Sequence, residues 1–283
     1  MRKIAMLATA SFLGIFGAAT ATALTNGTDV ATTDAAAQGV VQVASCTGTV
    51  VAAQWVLTAQ HCVEVPDVQR TVYTGATREQ QHRAENQYVA DYAVWAPHGD
   101  VALVHVSTAF PEKMIQNVRR DAVEFGTTGS VYGWGAGTEE TLQFAQAAVG
   151  RTTPGIRPGT NEGAHDAFVV QYLGEAKAGR GDSGGPLFID GEVAGVTSFK
   201  ARQGGGRYSL FASLHGLGDW IAQTTAAPNQ NGPVTKPEHP STEPAPPVPK
   251  PKNPQPKDPK PEQPRGPLGT PGGGGSSLGL SSS

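Results

Sequence analysis

The segment Gly181-Asp182-Ser183-Gly184-Gly185-Pro186 places one serine in a turn that is rich in glycine. Glycine adopts backbone angles that other residues avoid, and it leaves room for another chain to approach the serine. A serine hydroxyl is a poor nucleophile at neutral pH, so it needs a base that takes its proton and donors that stabilise an oxyanion. The backbone N–H groups of Gly181 and Ser183 are suited to be those donors. The segment therefore predicts a nucleophilic serine that acts with a histidine and an acid.

A histidine and an aspartate of the required kind lie upstream of this turn. His61 stands near the end of the segment Trp55–Cys62, which starts as an apolar strand, and Asp100 opens the apolar segment Asp100–Val104. The segment Gly181–Gly185 also fits the G-x-S-x-G turn of α/β-hydrolases, but that fold places the acid and the histidine after the serine. The order His, Asp, Ser therefore excludes the α/β-hydrolase class.

The region around these motifs alternates short apolar runs with turn residues. Runs rich in Val, Thr and aromatic residues predict strands. Examples of these runs are Gly39–Val43, Gly48–Ala52, Trp55–Leu57, Val101–Val106, Ser130–Tyr132, Phe168–Tyr172, Pro186–Ile189, Val193–Thr197 and Tyr208–Phe211. A helical period occurs at the end of the region, His215–Thr225, where Leu217, Trp220 and Ile221 share one face. We therefore expect an all-β barrel or sandwich with a terminal helix.

Together, the motifs resemble those of the chymotrypsin/trypsin-like serine protease family. Gly181–Pro186 matches the family's G-D-S-G-G-P, Leu57–Cys62 its L-T-A-x-H-C, and Asp100–Leu103 its D-V-A-L, in the family's order. Weaker matches extend the resemblance over Leu24 to Thr225, and they are Gly133-Trp134-Gly135, Thr197-Ser198-Phe199, Gly206-Arg207-Tyr208 and Trp220-Ile221. The resemblance implies two six-stranded antiparallel β-barrels that divide near Arg119–Gly129, with the catalytic cleft between them.

By this resemblance the three main motifs supply a catalytic triad. His61 is expected to be the general base, Asp100 the acid that orients it, and Ser183 the nucleophile that forms an acyl-enzyme. Gly181 and Ser183 are expected to form the oxyanion hole. We therefore expect a serine endopeptidase that acts on protein or peptide substrates without a cofactor or metal. The alternative is a catalytically weak, protease-like binding module displayed on a wall-spanning spacer.

The resemblance also implies an activating ion pair at the N-terminus. In the family, a new N-terminal amine pairs with the aspartate that precedes the serine, which is Asp182 here. The segment Leu24-Thr25-Asn26-Gly27 resembles the family's I-V-G-G start. Cleavage after Ala23 is therefore expected to make the Leu24 amine that pairs with Asp182. The alternative is a frayed N-terminal strand, with Asp182 held in some other way.

The specificity pocket departs from the pattern of enzymes that cleave after Arg or Lys. Those enzymes carry an aspartate six residues before the serine, and Lys177 occupies that position here. The other expected pocket residues are Ala178, Ser198, Phe199, Lys200 and Gly206. Lys177 either points inward and selects acidic side chains, or swings out and leaves a neutral pocket, or is neutralised by Glu175. A buried lysine repels a basic side chain, so we expect an acidic or small apolar preference.

The chain has two cysteines, Cys46 and Cys62. In an exported chain an isolated pair most often forms a disulfide. A zinc site that adds His61 is the alternative, but no C-x-x-C spacing supports it. We therefore expect a Cys46–Cys62 disulfide and no metal.

Both ends of the chain differ in composition from its middle. Residues 1–23 begin with Met1-Arg2-Lys3, continue with an apolar run and end in Ala21-Thr22-Ala23, which is typical of a secretory signal peptide. The apolar run is too short for a membrane anchor, so no stable membrane insertion is expected. Sixteen of the 22 prolines lie in residues 228–283, which predicts a disordered Pro/Lys-rich spacer that ends in Gly/Ser-rich coil. Residues 24–227 remain as one protease domain.

Charge and composition narrow the expected surroundings of the protein. The formal net charge of −3 provides no basic excess, so a nucleic-acid partner is excluded. We expect a secreted, bacterial-type monomer that works outside the cell. Association with a cell wall through the tail and a solvated tail without a partner remain open alternatives.

Overall fold

The computed structural model describes residues 24–31, 33–135, 140–153, 156–157, 160–161, 167–200 and 207–226. The predicted signal peptide (1–23), the predicted tail (228–283) and Gly206 lie outside the described residues. The described residues all fall within one unit of the chain, Met1–His239. Their helices are all too short or too polar to cross a membrane.

Two short elements come before the first barrel. Strand β1 (Thr28–Asp29) is followed by helix α1 (Ala35–Gln38). Asp34 caps the helix, because its side chain accepts hydrogen bonds from the N–H groups of Ala36 at 2.9 Å and Ala37 at 3.3 Å. The cap satisfies N–H groups that so short a helix leaves without intrahelical partners.

The first barrel consists of six antiparallel strands. In chain order these are β2 (Val40–Val43), β3 (Cys46–Ala52), β4 (Trp55–Thr58), β5 (Arg70–Tyr73), β6 (Gln87–Trp95) and β7 (Ala102–Val106). Their spatial order is β2-β3-β4-β7-β6-β5, and β5 pairs back onto β2, which closes the barrel. Helix α2 (Arg78–Gln81) and the 3₁₀ helices Gln60–Val63, Ala84–Asn86 and Glu112–Met114 lie between or after these strands.

The second barrel is closed in the same way. Its part of the chain contains β8 (Thr128–Gly133), β9 (Gln143–Thr153), β10 (Ile156–Arg157), β11 (Thr160–Asn161), β12 (Ala167–Tyr172), β13 (Pro186–Ile189), β14 (Glu192–Lys200) and β15 (Tyr208–Ser213). The six barrel strands follow the order β8-β9-β12-β15-β14-β13, and β13 pairs with β8. β1 pairs with β9, and β10 and β11 form a separate two-stranded sheet. The expected two-barrel fold is therefore confirmed.

An apolar core joins the two barrels. It combines Trp55 and Leu57 from the first barrel with Trp134 and Phe188 from the second. Helix α3 (Gly218–Thr225) ends the described chain and packs Ile221 against the same core. The terminal helix predicted from the periodicity is thus present, although it begins at Gly218, because His215–Leu217 form a turn.

The segment that connects the two barrels contacts the second barrel near the start of the predicted boundary interval. The backbone of Asn117 accepts a hydrogen bond from Val193 of the second barrel at 2.8 Å, and the N–H of Arg119 donates to the Val193 carbonyl at 2.9 Å. The chain therefore reaches the second barrel at the N-terminal edge of the predicted interval, Arg119–Gly129. The crossing brings the ends of several strands from both barrels to one junction.

Candidate active site

His61 and Asp100 meet at the ends of two paired strands. β4 and β7 are antiparallel neighbours with Thr58 opposite Ala102. His61 follows β4 in the 3₁₀ helix Gln60–Val63, and Asp100 comes just before β7. The strand pairing therefore brings the histidine and the aspartate together, although they are 39 positions apart in the chain.

The His61–Asp100 contact involves two hydrogen bonds. His61 Nδ1 lies 2.7 Å from Asp100 Oδ2, and the His61 backbone N–H donates to Asp100 Oδ1 at 3.0 Å. The Asp100 side chain is 2% exposed and that of His61 is 23% exposed. One carboxylate thus fixes both the ring and the backbone of His61, and the use of Nδ1 leaves Nε2 for another partner.

A third residue completes the surroundings of the Asp100 carboxylate. Ser198 Oγ in β14 donates to Asp100 Oδ2 at 2.6 Å. Burial on its own raises the pKa of Asp100, but the hydrogen bond and charge of His61 and the Ser198 hydroxyl hold that pKa below its ordinary value. Asp100 is therefore ionised at neutral pH.

The pKa of His61 moves in the opposite direction. Burial lowers the pKa of His61, but the hydrogen bond and charge of Asp100, with a smaller contribution from the charge of Glu64, raise it above its ordinary value. The imidazole is therefore a stronger base than an isolated histidine. The ring of Phe199 stacks on that of His61 with 5.6 Å between centroids, which limits the ring orientation further.

Ser183 lies in the turn before β13, and its neighbours need glycine. Gly181 has φ +93° and Gly184 has φ +79°, both in the left-handed region. A Cβ on Gly184 would overlap Thr58 Oγ1 and the Thr47 carbonyl oxygen of the first barrel. Ser183 is half-buried, and its carbonyl accepts a hydrogen bond from the Thr47 N–H at 2.9 Å. The turn is thus held closely against the strands that lead to His61.

The carboxylate of Asp182 is fully buried and accepts three backbone hydrogen bonds. The donors are Leu24 at 2.9 Å, Gly135 at 3.1 Å and Gly179 at 2.7 Å. Gly133 is required beside it, because a Cβ there would overlap Asp182 Oδ1. The structure therefore brings Leu24 and Asp182 together and ties both to the segment that precedes Ser183.

The two cysteines form the expected disulfide. Cys46 and Cys62 are bonded with an S–S distance of 2.07 Å. The disulfide prediction is confirmed, and the zinc alternative is wrong, because the two sulfurs are bonded to each other and are not thiolate ligands. The bond links the start of β3 to the 3₁₀ helix that carries His61.

The predicted pocket residues differ in burial and in the groups that they contact. Lys177 is half-buried, and its backbone N–H donates to the Thr25 carbonyl at 3.0 Å. Glu175 forms its ion pair with Arg207, at 3.1 Å, so the proposed neutralisation of Lys177 by Glu175 does not appear.

Three other predicted pocket residues lie in different surroundings, and one is not described. Ala178 is buried, Lys200 is exposed, and Gly206 lies outside the described residues. Ser198, predicted to line the pocket, directs its hydroxyl to Asp100. The pocket set is therefore brought together only in part.

Sequence reasoning missed the side-chain contacts that join distant segments. Thr47 donates its hydroxyl to the Gly181 carbonyl at 2.9 Å across 134 positions, and Ser198 reaches Asp100 across 98. Neither residue belongs to a motif that identifies such a partner. Only the packing of the two barrels against each other brings these groups into contact.

A fold of two closed β-barrels, with a His–Asp pair and a glycine-flanked serine at their junction, defines the class of chymotrypsin-like serine peptidases. Residues 24–221 match the family model described as Trypsin, and the chain belongs to this family of peptidases. The match spans both barrels and the start of helix α3.

Curated relatives agree with this assignment, and a solved structure shares the fold. An uncharacterized peptidase of Corynebacterium glutamicum is 27% identical over 197 residues, which cover 67% of each chain. A trypsin of the black fly Simulium vittatum is 26% identical over 211 residues, which cover 61% of this chain and 76% of its own. Neuropsin, a serine protease expressed in the limbic system of mouse brain, superposes with a TM-score of 0.57 at 16% identity and covers 70% of this chain and 98% of its own. The structural likeness supports the fold.

Proposed function

We propose that this chain is a secreted serine endopeptidase in which His61, Asp100 and Ser183 form the catalytic triad. The observation that carries the proposal is the 2.7 Å hydrogen bond between the buried Asp100 carboxylate and Nδ1 of the partly exposed His61. That bond fixes the imidazole so that Nε2 is the nitrogen that accepts the proton of Ser183. The half-buried Ser183, held in its turn by the first barrel, is the corresponding nucleophile.

The mechanism follows from the charges of these groups. His61 removes the hydroxyl proton of Ser183 as Ser183 Oγ bonds to the substrate carbonyl carbon, and the N–H groups of Gly181 and Ser183 stabilise the oxyanion. His61 then gives that proton to the leaving amine, and the peptide C–N bond breaks to leave an acyl-enzyme. Water then loses a proton to His61 as its oxygen bonds to the acyl carbon. The bond from that carbon to Ser183 Oγ breaks, and His61 returns the proton to Ser183 Oγ as the acid leaves. Asp100 remains ionised and stabilises the imidazolium at each step.

Activation is proposed to depend on a free amine at Leu24. The Leu24 nitrogen already lies 2.9 Å from Asp182 Oδ2 in a buried position. Cleavage after Ala23 converts this nitrogen to an ammonium, which adds charge to the same hydrogen bond. Since Asp182 also binds Gly135 and Gly179, the ion pair would order the residues that flank the oxyanion hole.

Substrate preference is proposed to exclude basic side chains. Lys177 is half-buried, and its acidic neighbour Glu175 is paired with Arg207. A pocket lysine whose acidic neighbour is already paired repels an arginine or lysine side chain of the substrate. An acidic or small apolar residue before the scissile bond is therefore the proposed preference.

The alternative of a non-catalytic binding module is less well supported. A binding surface needs no buried carboxylate behind a partly exposed histidine. Burying the charge of Asp100 costs free energy, which its hydrogen bonds to His61 and Ser198 offset, and this arrangement orients the His61 ring. Secretion by a bacterial-type cell, and cell-wall association through residues 228–283, are part of the proposal and rest on composition.

Peptide hydrolysis by the exported chain tests the proposal. We expect the wild type to cleave internal bonds of a denatured protein substrate, and we expect Ser183→Ala to reduce the rate to background. Ser130→Ala, whose hydroxyl binds Gln146 on the surface, is the matched control and should retain full activity. Cleavage that persists in Ser183→Ala would show that another group is the nucleophile.

A further inference from the structure

Thr47 uses all of its polar groups in contacts at the junction of the barrels. It is fully buried in β3, and its N–H donates to the Ser183 carbonyl at 2.9 Å. Its hydroxyl donates to the Gly181 carbonyl at 2.9 Å and accepts from the Trp134 N–H at 2.9 Å. Its own carbonyl accepts from Thr58 Oγ1 at 2.8 Å. One residue of the first barrel thus binds three residues of the second.

We propose that Thr47 is the positioning residue of the oxyanion hole. The two residues proposed to donate N–H groups to the oxyanion are Gly181 and Ser183. The carbonyl oxygens of both accept hydrogen bonds from Thr47. The inference rests on the proposed function, because it assigns a role in the same reaction. It adds a residue outside the triad that controls how well the transition state is stabilised.

The physical argument concerns the freedom of the Gly181 backbone. Gly181 has φ +93°, and glycine in this region has several alternative backbone states of similar energy. A hydrogen bond on its carbonyl restricts rotation of the peptide unit that joins it to Asp182. The N–H of Ser183 lies between this fixed unit and the Ser183 carbonyl, which Thr47 also holds. Thr47 therefore restrains the backbone before and after the Ser183 N–H. For the Gly181 N–H it restrains the backbone only on the C-terminal side.

Thr47 also connects the oxyanion hole to the segment that binds the Asp182 carboxylate. The hydroxyl of Thr47 accepts from Trp134 N–H, and the next N–H along the chain, that of Gly135, donates to Asp182 Oδ1 at 3.1 Å. The two anchors hold consecutive amides of one segment. Loss of the hydroxyl is therefore expected to loosen the oxyanion turn from the first barrel while the Asp182 contacts remain.

Thr49 provides a matched control on the same strand. It lies two positions from Thr47, is fully buried, and its Oγ1 makes no hydrogen bond within the part of the chain that the structure describes. Replacing either threonine by valine keeps the shape and removes one hydroxyl. Only at position 47 does the change remove a hydrogen bond to the turn that carries Ser183, the one from the hydroxyl to the Gly181 carbonyl.

The test compares Thr47→Val, Thr47→Ser and Thr49→Val in the full chain, by kcat and KM on a peptide substrate and by inhibition with a peptide boronate. We expect Thr47→Val to lower kcat by about 10-fold or more at nearly unchanged KM, since loss of a whole oxyanion donor costs about 10²–10³ in kcat. Boronate affinity, which reports transition-state binding, should fall in parallel. Thr47→Ser and Thr49→Val should match the wild type.

The outcomes separate this inference from the function on which it rests. If the wild type is active and Thr47→Val lowers thermal stability without changing kcat or boronate affinity, the inference is overturned and Thr47 is structural. If the wild type neither hydrolyses peptide nor binds boronate, the proposed function fails and the inference with it. If Thr47→Val does not fold, Thr47→Ala replaces it in the comparison with Thr47→Ser, because the two differ by one oxygen atom. Equal kcat values in that pair would contradict the inference.

Discussion

The backbone nitrogen of Leu24 lies 2.9 Å from Oδ2 of Asp182, and both residues are fully buried. They are separated by 158 positions in the chain, so the contact fixes the N-terminal segment against the turn of the nucleophile. Asp182 immediately precedes Ser183. The relationship therefore links the chemistry proposed at Ser183 to the state of the Leu24 nitrogen.

Extending the chain ahead of a mature Leu24 should inactivate the enzyme. With two extra residues at the mature N-terminus, the Leu24 nitrogen is a peptide nitrogen. It then lacks the positive charge that is proposed to pair with Asp182. We expect kcat/KM to fall by about 10²-fold, which corresponds to losing one ordered oxyanion donor. Leu24→Ile, which keeps the amine and the apolar side chain, is the control. N-terminal sequencing and peptide kinetics make the measurement, and an unchanged rate for the extended enzyme would refute the activation proposal.

The acidic limb of the pH–rate profile should lie above the ordinary histidine pKa. Asp100 raises the pKa of His61 above its usual value of 6.5, and His61 acts as a base only when it is neutral. Activity is therefore lost as the pH falls through this raised pKa. Asp100→Asn should lower kcat by about 10⁴-fold and move the remaining limb to lower pH, because the charge that raises the pKa is gone.

A second His–Asp pair provides the control for the Asp100 prediction. His105 Nδ1 lies 2.7 Å from Asp91 Oδ1, the same distance as in the pair of the candidate site. Asp91→Asn should leave the position of the acidic limb unchanged. If it shifts the limb as far as Asp100→Asn does, the limb does not report the His61–Asp100 pair.

The fold and the residues of the candidate site were open to prediction because the sequence features that indicate them are local motifs. The runs that became β4, β7 and β13 are short, apolar and bounded by turn residues, and each stands next to a motif. Strands β6 and β9, like β5, are not among the predicted runs. Polar residues interrupt the apolar pattern of β6 and β9, and both contain Ala, which has a low β-propensity. They form strands because each has a paired strand on both sides.

The roles of Thr47 and Ser198 could not be predicted for a different reason. Each makes its decisive hydrogen bond to a residue of the other barrel, at separations of 134 and 98 positions. A single threonine or serine in a strand carries no signal of such a partner. The pocket around Lys177 was uncertain because the direction of a long side chain depends on the surrounding walls.

The disulfide should contribute measurably to stability. Cys46 and Cys62 are separated by 16 positions. Closing a loop of this length is worth about 3 kcal/mol in the chain-entropy model. The variant Cys46→Ala/Cys62→Ala should therefore lose about that much free energy of unfolding in urea titrations. The loss should be absent when wild type and variant are compared under strong thiol reductant, since neither then has the bond. An equal difference under reductant would attribute the effect to packing.

Substrate preference can be measured from a digested peptide library. We expect the residue before each cut to be acidic or small and apolar, because Lys177 repels basic side chains. Lys177→Met distinguishes the two preferences: an acidic preference should disappear in the variant, and a small apolar preference should persist. Lys113→Met, at an exposed position in the 3₁₀ helix Glu112–Met114, is the control. A strong preference for Arg in the wild type would contradict the placement of Lys177 in the pocket.

The covalent reaction of Ser183 with a fluorophosphonate tests the central claim most directly. The reagent phosphonylates a serine only where a base and an oxyanion hole activate it. Intact mass of the mature chain and peptide mapping should show one adduct, located on Ser183. Ser183→Ala should abolish its formation, and Asp100→Asn should strongly slow it. An adduct on another residue, or none on a folded wild type with a free Leu24 amine, would contradict the account.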